Sequence, residues 1–394
     1  MVLILAGLAA YAVLGGADFG AGLWELGARG PRGAAVREHT HRAMAPVWEA
    51  NHVWLIFVFV VCWTAYPTAF ASIASTLTVP LFIAAIGVIL RGASYAFRTG
   101  DPGGREASAL SLMLSLSSVL TPFALGAAAG GIASGRVPVG NAAGDAFSSW
   151  VNPTSLLVGT LAVASAAYTA AIYLAADARR EGLDDLAETF RKRALISGAL
   201  VGTIAICGPL VLHEDARPLY DGLSSGAGLV AGLVSGIAGV ATLALVYRGR
   251  FEPARASAAL AVAAIVAGWG LAQEPSFLPG LTVQEAAAGD ATLVAIAVSV
   301  GFGLLILLPS LALLFRLMLS GRFDPGRELQ DVPARTARSP APAIPLAAPA
   351  ATAGLGAAVT LLFEGWLLGI GVALMLLGAV LAFLLFAAPE EETR

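Results

Sequence analysis

Nine apolar stretches of membrane-crossing length follow one another before residue 316, near 2–26, 53–72, 77–97, 108–132, 151–176, 194–213, 226–247, 257–275 and 290–315. A bilayer core is crossed by about 20 apolar residues of helix, and in lipid only helices or closed barrels satisfy their own backbone polar groups. The pattern therefore reads as an all-α polytopic membrane protein with no sizeable aqueous domain. Of the 394 residues, 58% are hydrophobic and 12% charged, against roughly 25% charged in a typical soluble domain. Soluble enzymes, disulfide scaffolds and disordered chains are excluded. The net charge of −3 comes without a long block of like charge, so nucleic acid is not a partner.

The opening Met1-Val2-Leu3-Ile4-Leu5 has no Lys or Arg ahead of its apolar run and reads as the first span, not a cleaved signal. Residues 1–320 form the nine-helix core. Residues 321–343 mix Arg, Asp and Pro and read as an exposed linker. Residues 344–388 are apolar but interrupted by Glu364-Gly365-Trp366, which divides them into a helical hairpin, and 389–394 form a tail. Cys62 and Cys207 lie in apolar runs without C-x-x-C spacing and read as small buried hydrophobes. The pairs Gly16/Gly20, Gly198/Gly202 and Gly232/Gly236 have the spacing that lets helices pack closely.

Basic residues fix an expected orientation, because cytoplasmic loops collect Lys and Arg. Nineteen of the 23 fall in alternate loops: the first (Arg29, Arg32, Arg37, Arg42), third, fifth (Arg179, Arg180, Arg191, Lys192, Arg193), seventh and ninth. The amino terminus is expected outside and, with the final hairpin, the carboxyl terminus in the cytoplasm.

A charge inside the bilayer needs a partner, water or a purpose. Asp18 lies about 12 Å, at 1.5 Å per residue, from the basic end of the first helix, and Arg91 about 10 Å from that end of the third. Glu49 and His52 open the second helix, three apart and so on one face. Two readings follow. Asp18 and Arg91 can form a buried ion pair that sets helix register. Alternatively, Glu49, His52 and Asp18 can carry protons, with Arg91 keeping Asp18 ionised. No histidine stands at mid-span, and Met113, Met318 and Met375 read as core filler, so the chain is expected to bind no haem or metal by itself. Trp24, Trp48, Trp54 and Trp63 read as interfacial anchors.

Ala45-Pro46-Val47-Trp48-Glu49-Ala50-Asn51-His52-Val53-Trp54 resembles the second-helix signature of subunit II of cytochrome bd-type quinol oxidases, in which Trp48, Asn51 and Trp54 are motif positions. Gly15 to Gly22 around Asp18, Leu90 to Arg98, Asn152-Pro153, and Pro275 to Pro279 followed by Leu281-Thr282 are similar to further landmarks of that family. The likeness covers residues 1 to about 320. There are departures: Gly15 stands where the family usually has an acid, Glu49 replaces Asp, and His52 replaces Gln or Glu.

The resemblance implies two four-helix bundles plus one helix, and a haem-free partner to a haem-bearing subunit I that holds haems b and d. Together the two would oxidise quinol at the outer face of a bacterial cytoplasmic membrane and reduce O₂ to water with cytoplasmic protons. It leaves room for a structural quinone or lipid in this chain and for a small accessory subunit. The rival class is an ion-coupled secondary transporter, which breaks helices at mid-membrane; Pro80, Pro122, Pro209 and Pro309 are its candidate breaks. A purely structural assembly subunit differs from the first reading only in having no proton role.

Overall fold

The computed structural model describes residues 1–26, 28, 30–44, 48–96 and 104–319, with six isolated positions between 351 and 374. Side chains at 31, 49, 50, 104–111, 308 and 314–319 lie outside that description. So do the linker at 321–343, the tail at 389–394 and, apart from the isolated positions, the hairpin at 344–388.

Among the described residues, eight helices are long and apolar enough to cross a membrane. They lie in α1 (Val2–Leu26), α5 (Thr78–Ala96), α6 (Gly104–Ala133), α7 (Pro153–Arg180), α8 (Asp184–Asp215), α10 (Gly226–Tyr247), α11 (Phe251–Gln273) and α13 (Asp290–Leu319). The expected second span, 53–72, differs. It divides into α3 (Trp48–Ala65), with a shorter apolar run Asn51–Ala65, and α4 (Pro67–Thr76). Tyr66 leaves helical geometry at φ −138°, ψ 59°, and Pro67 takes the first helical position of α4, where its missing N–H costs nothing.

The first basic stretch is helical too. In α2 (Gly30–Met44), Val36 and His39 are buried while Glu38 and Arg42 turn outward, and Arg37 donates to the Ala28 carbonyl. His39 Nε2 lies 3.1 Å from the Leu174 carbonyl and Nδ1 lies 3.5 Å from Glu181, tying α2 to the end of α7. Between the long helices sit α9 (Arg217–Leu223), a small hairpin of β1 (Ser276–Leu278) and β2 (Leu281–Thr282), and α12 (Val283–Ala286). Thr282 and Glu285 close a reciprocal cap on α12, with the Thr282 N–H and hydroxyl both donating to the Glu285 carboxylate. Those bonds hold Glu285 below the usual glutamate range, the backbone one first.

Residues 1–305 form one compact unit; a second runs from Ile306 to the end of the chain. In the first, α7 is central and packs against α1, α6, α8 and α11. Its buried stripe of Ala170, Ala171, Ala175, Ala176 and Ala178 suits a lipid setting, where close van der Waals packing of small residues drives association. Gly20 carries the closest approach: a Cβ there would lie 1.8 Å from the Ala166 carbonyl of α7. Of the expected glycine pairs, Gly16/Gly20 faces α7, whereas Gly202, Gly232 and Gly236 face nothing within 4 Å.

The outward faces stay apolar, with Ile196, Ile206, Leu210, Ile237 and Val240 exposed. A surface of that kind belongs in lipid or under a partner, and the molecule is a multi-pass membrane protein. Cys207 is on that surface and is exposed, contrary to the buried position expected of it, because α8 turns that face away from its neighbours.

The basic turns gather at one end. Arg180 reaches Glu252 at 2.8 Å, and Arg191 donates to the Tyr247 carbonyl at 2.6 Å, so the α7–α8 and α10–α11 turns adjoin. At the opposite end, the Met1 amino group donates to Tyr66 at 2.8 Å and the Ala288 N–H donates to the Ala65 carbonyl at 2.7 Å.

Candidate functional site

The polar cluster lies toward the basic end, where α1, α3, α5 and α6 meet. Asp18 of α1 and Arg91 of α5 have fully buried side chains. Arg91 Nε donates to Asp18 Oδ2 at 2.6 Å and Nη2 donates to Oδ1 at 2.7 Å, the two-pronged geometry in which a guanidinium matches a carboxylate. Nη2 also donates to the Asp18 backbone carbonyl. The remaining arm, Nη1, reaches the Ser118 hydroxyl of α6 at 3.2 Å.

Tyr95 lies one turn beyond Arg91 on the same face and completes the shell. Its hydroxyl donates to Asp18 Oδ1 at 3.1 Å and accepts from Arg91 Nη2 at 3.3 Å. The guanidinium carbon sits 4.8 Å from the centre of the Phe19 ring and 5.4 Å from that of Tyr95, so its charge is met by aromatic faces where bonds are lacking. Gly22 makes the site possible: a Cβ there would stand 2.1 Å from the Ser118 hydroxyl. Glu25, about two turns past Asp18 on α1 and 9% exposed, adds negative charge felt by Arg91 and Tyr95.

The start of α3 is stacked onto this shell. Trp48 lies parallel to Tyr95 at 5.4 Å and 9°, while His41 of α2 stacks on Tyr95 at 5.8 Å. Trp48, expected as an interfacial anchor, is thus a wall of the cluster. The His52 Nδ1 faces the Trp48 carbonyl at 2.8 Å, and its ring is met edge-on by Tyr11, Phe19 and Trp48 at 6.0–6.2 Å. Asn51 is 5% exposed; Trp54 packs edge-on against Phe57, away from the cluster. Glu49 stands in the first turn of α3, and its side chain is outside the described residues, as are Ala45, Pro46 and Val47 of the same motif.

Of the predicted site residues, the structure brings Asp18 and Arg91 into direct contact and sets His52 beside them through shared aromatic rings. Sequence reasoning missed Tyr95, Ser118, Glu25, Tyr11 and His41. A signal existed for two of them: Tyr95 is i+4 from Arg91, and Ser115, Ser117 and Ser118 punctuate an otherwise apolar helix. Among the described residues, no group of three His, Cys, Asp or Glu side chains is placed to hold a metal ion.

A second ion pair closes the opposite end. Arg136 donates to both Asp215 oxygens at 3.1 and 2.5 Å, and the Thr154 N–H and hydroxyl donate to Oδ2 at 3.0 and 2.6 Å. Next to it, Asn152 caps α7 by accepting from the Ser155 N–H at 2.9 Å, with Pro153 in the first turn.

A family model described as cytochrome bd terminal oxidase subunit II matches residues 1–318. A relative from Bacillus subtilis (strain 168), described as a putative cytochrome bd menaquinol oxidase subunit II, is 23% identical over 217 residues, which is 54% of this chain and 61% of that protein. The alignment thus spans under two thirds of the relative's length. Among solved structures, a chain of the bd oxidase from Geobacillus thermodenitrificans superposes with a TM-score of 0.62 at 27% identity, covering 81% of this chain and 99% of that one.

Proposed function

The chain belongs to the cytochrome bd terminal oxidase subunit II family, and from that membership we propose that it is the haem-free subunit of a quinol:O₂ oxidoreductase in a bacterial cytoplasmic membrane. In this reading a subunit I carries haems b and d, which supply the electron transfer and oxygen chemistry. This chain holds that partner in place and carries protons from the cytoplasm, with the amino terminus outside and the basic end inside. The nine-helix core of two four-helix bundles plus one helix, the structural quinone or lipid and the small accessory subunit belong to the same proposal.

The observation that carries the proton reading is the division of labour in the cluster. Both oxygens of Asp18 are occupied by Arg91 and Tyr95, so Asp18 acts as the fixed counter-ion of a structural pair. Glu49 stands in the first turn of α3 and His52 in the second, at the basic end, where the helix N-terminus favours a carboxylate. They are the groups assigned to exchange protons with cytoplasmic water, and the helix that bears them is seated on the pair's shell through Trp48 stacked on Tyr95.

Glu49→Gln tests this. It keeps the shape but cannot ionise, so the assembled complex is expected to retain its haems and accept electrons from quinol while O₂ turnover falls at least about 100-fold, the scale of a lost proton-transfer group. Glu49→Asp is expected to keep most activity. Normal turnover by fully assembled Glu49→Gln removes the proton role and leaves a structural subunit. The transporter reading is not favoured: Pro122, Pro209 and Pro309 lie inside unbroken helices, and the break at Tyr66–Pro67 has no matched second break among the described residues.

A further inference from the structure

Two buried polar atoms beside the ion pair find no hydrogen-bond partner among the described residues: the Tyr11 hydroxyl of α1 and Nε2 of His52 of α3. Tyr11 is only 7% exposed. An unpaired buried polar group costs about 1–3 kcal/mol, and native proteins meet such costs with ordered water. The two rings meet edge to face, with centres 6.2 Å apart and planes at 77°, so the two unpartnered groups are neighbours.

Their chemistry is complementary. His52 Nδ1 faces a carbonyl, which can only accept, so Nδ1 carries the proton and neutral Nε2 presents a lone pair. The Tyr11 hydroxyl can either donate or accept. Its ring lies against Gly15, where a Cβ would stand 2.8 Å from Cε2. That glycine lets the ring fold along α1 toward Asp18, whose charge, with that of Arg91, reaches the hydroxyl.

We propose that Tyr11 and His52 hold one ordered water between them, and that this water-bridged pair is where a proton entering at α3 is received. The inference rests on the proton reading above. With His52 neutral, the water donates one O–H to Nε2 and accepts from the Tyr11 hydroxyl. When a proton arrives at the water, a new N–H bond forms at Nε2 as an O–H bond of the water breaks, and the water remains a water. The imidazolium then donates from Nδ1 to the Trp48 carbonyl and from Nε2 to the water, which turns and donates to the Tyr11 oxygen. Release is the reverse. A hydroxyl serves both states because it can exchange the donor role for the acceptor role, which neither an apolar group nor an ionised carboxylate can do.

The test compares infrared spectra of the purified complex in ordinary and heavy-oxygen water, for the parent chain and for Tyr11→Phe and His52→Phe. The expected result is an isotope-sensitive water O–H band present in the parent and absent from both variants. Tyr11→Phe should also assemble normally yet lose about tenfold in turnover on the alkaline side of its pH–rate profile, the size of one hydrogen bond to a charged group. A purely packing role for Tyr11 would leave that profile unmoved. An unchanged band in Tyr11→Phe overturns the shared water, and an unchanged pH profile overturns its part in proton uptake. The underlying reading fails by a different result, normal turnover of Glu49→Gln, so the two are separable.

Discussion

The two ends of the molecule each carry an arginine clamped on an aspartate, and they differ in what surrounds the clamp. At the basic end Asp18 and Arg91 are both fully buried, with the Ser118 and Tyr95 hydroxyls bonded to the pair. At the opposite end Arg136 and Asp215 keep 33% and 13% exposure, and Thr154 supplies the extra donors. The bidentate chemistry is the same, but the dielectric is not. A buried pair gains little over an apolar replacement, yet leaving one member alone is severe, about 3–5 kcal/mol. A partly exposed pair is better screened, so its worth moves toward the about 0–1 kcal/mol of surface pairs. On this contrast the fully buried pair is expected to act as a register device for α1 and α5, and the Arg136–Asp215 pair as a fastening whose loss the fold tolerates.

The sharpest way to break this contrast is Arg91→Gln, which strands the Asp18 carboxylate without its fork. The expected cost is about 3–5 kcal/mol, read as loss of assembled complex on size-exclusion chromatography. Tyr95→Phe is next: it removes one bond to a charged oxygen and keeps the stacking with Trp48 and His41, for about 1.5–3 kcal/mol, read as a lower thermal midpoint. Arg136→Gln should cost no more than about 1 kcal/mol; a loss equal to that of Arg91→Gln would erase the distinction between the ends.

The smallest effect is a matter of pH. Glu285 has its carboxyl lowered by the Thr282 bonds, so its contribution is complete above the ordinary glutamate value and is lost as pH falls through the depressed folded value. Lowering the pH below the ordinary glutamate range should therefore reduce hydrogen-exchange protection, corrected for intrinsic rate, around residues 276–286 without affecting the Asp18–Arg91 cluster. An equal loss of protection at both ends would contradict that.

Much of the inner site was legible because burying an isolated charge is so costly: Asp18 and Arg91, alone in apolar helices, had to find each other. The spans and the basic end were equally plain from the alternation of apolar runs and arginines. Tyr95 and Trp48 were not, since an aromatic near a span end looks the same whether it faces headgroups or a buried pair. The helical α2 was hidden by its charge, and the break at Tyr66 by the apolar residues on both sides of Pro67. The depth of the Cys207 position depends on which face α8 turns to its neighbours, and hydropathy that is high all round the helix does not encode that.

The most direct measurement is a double-mutant cycle on the assembled complex with Asp18→Asn, Arg91→Gln and the two together. If the pair is the buried register device described, each single change lowers assembly yield and thermal stability steeply, and the double variant recovers part of the loss, because neither charge is then left unpaired. A double variant as poor as the sum of the singles would mean that the two residues do not act on each other, and the account of the inner site would be wrong.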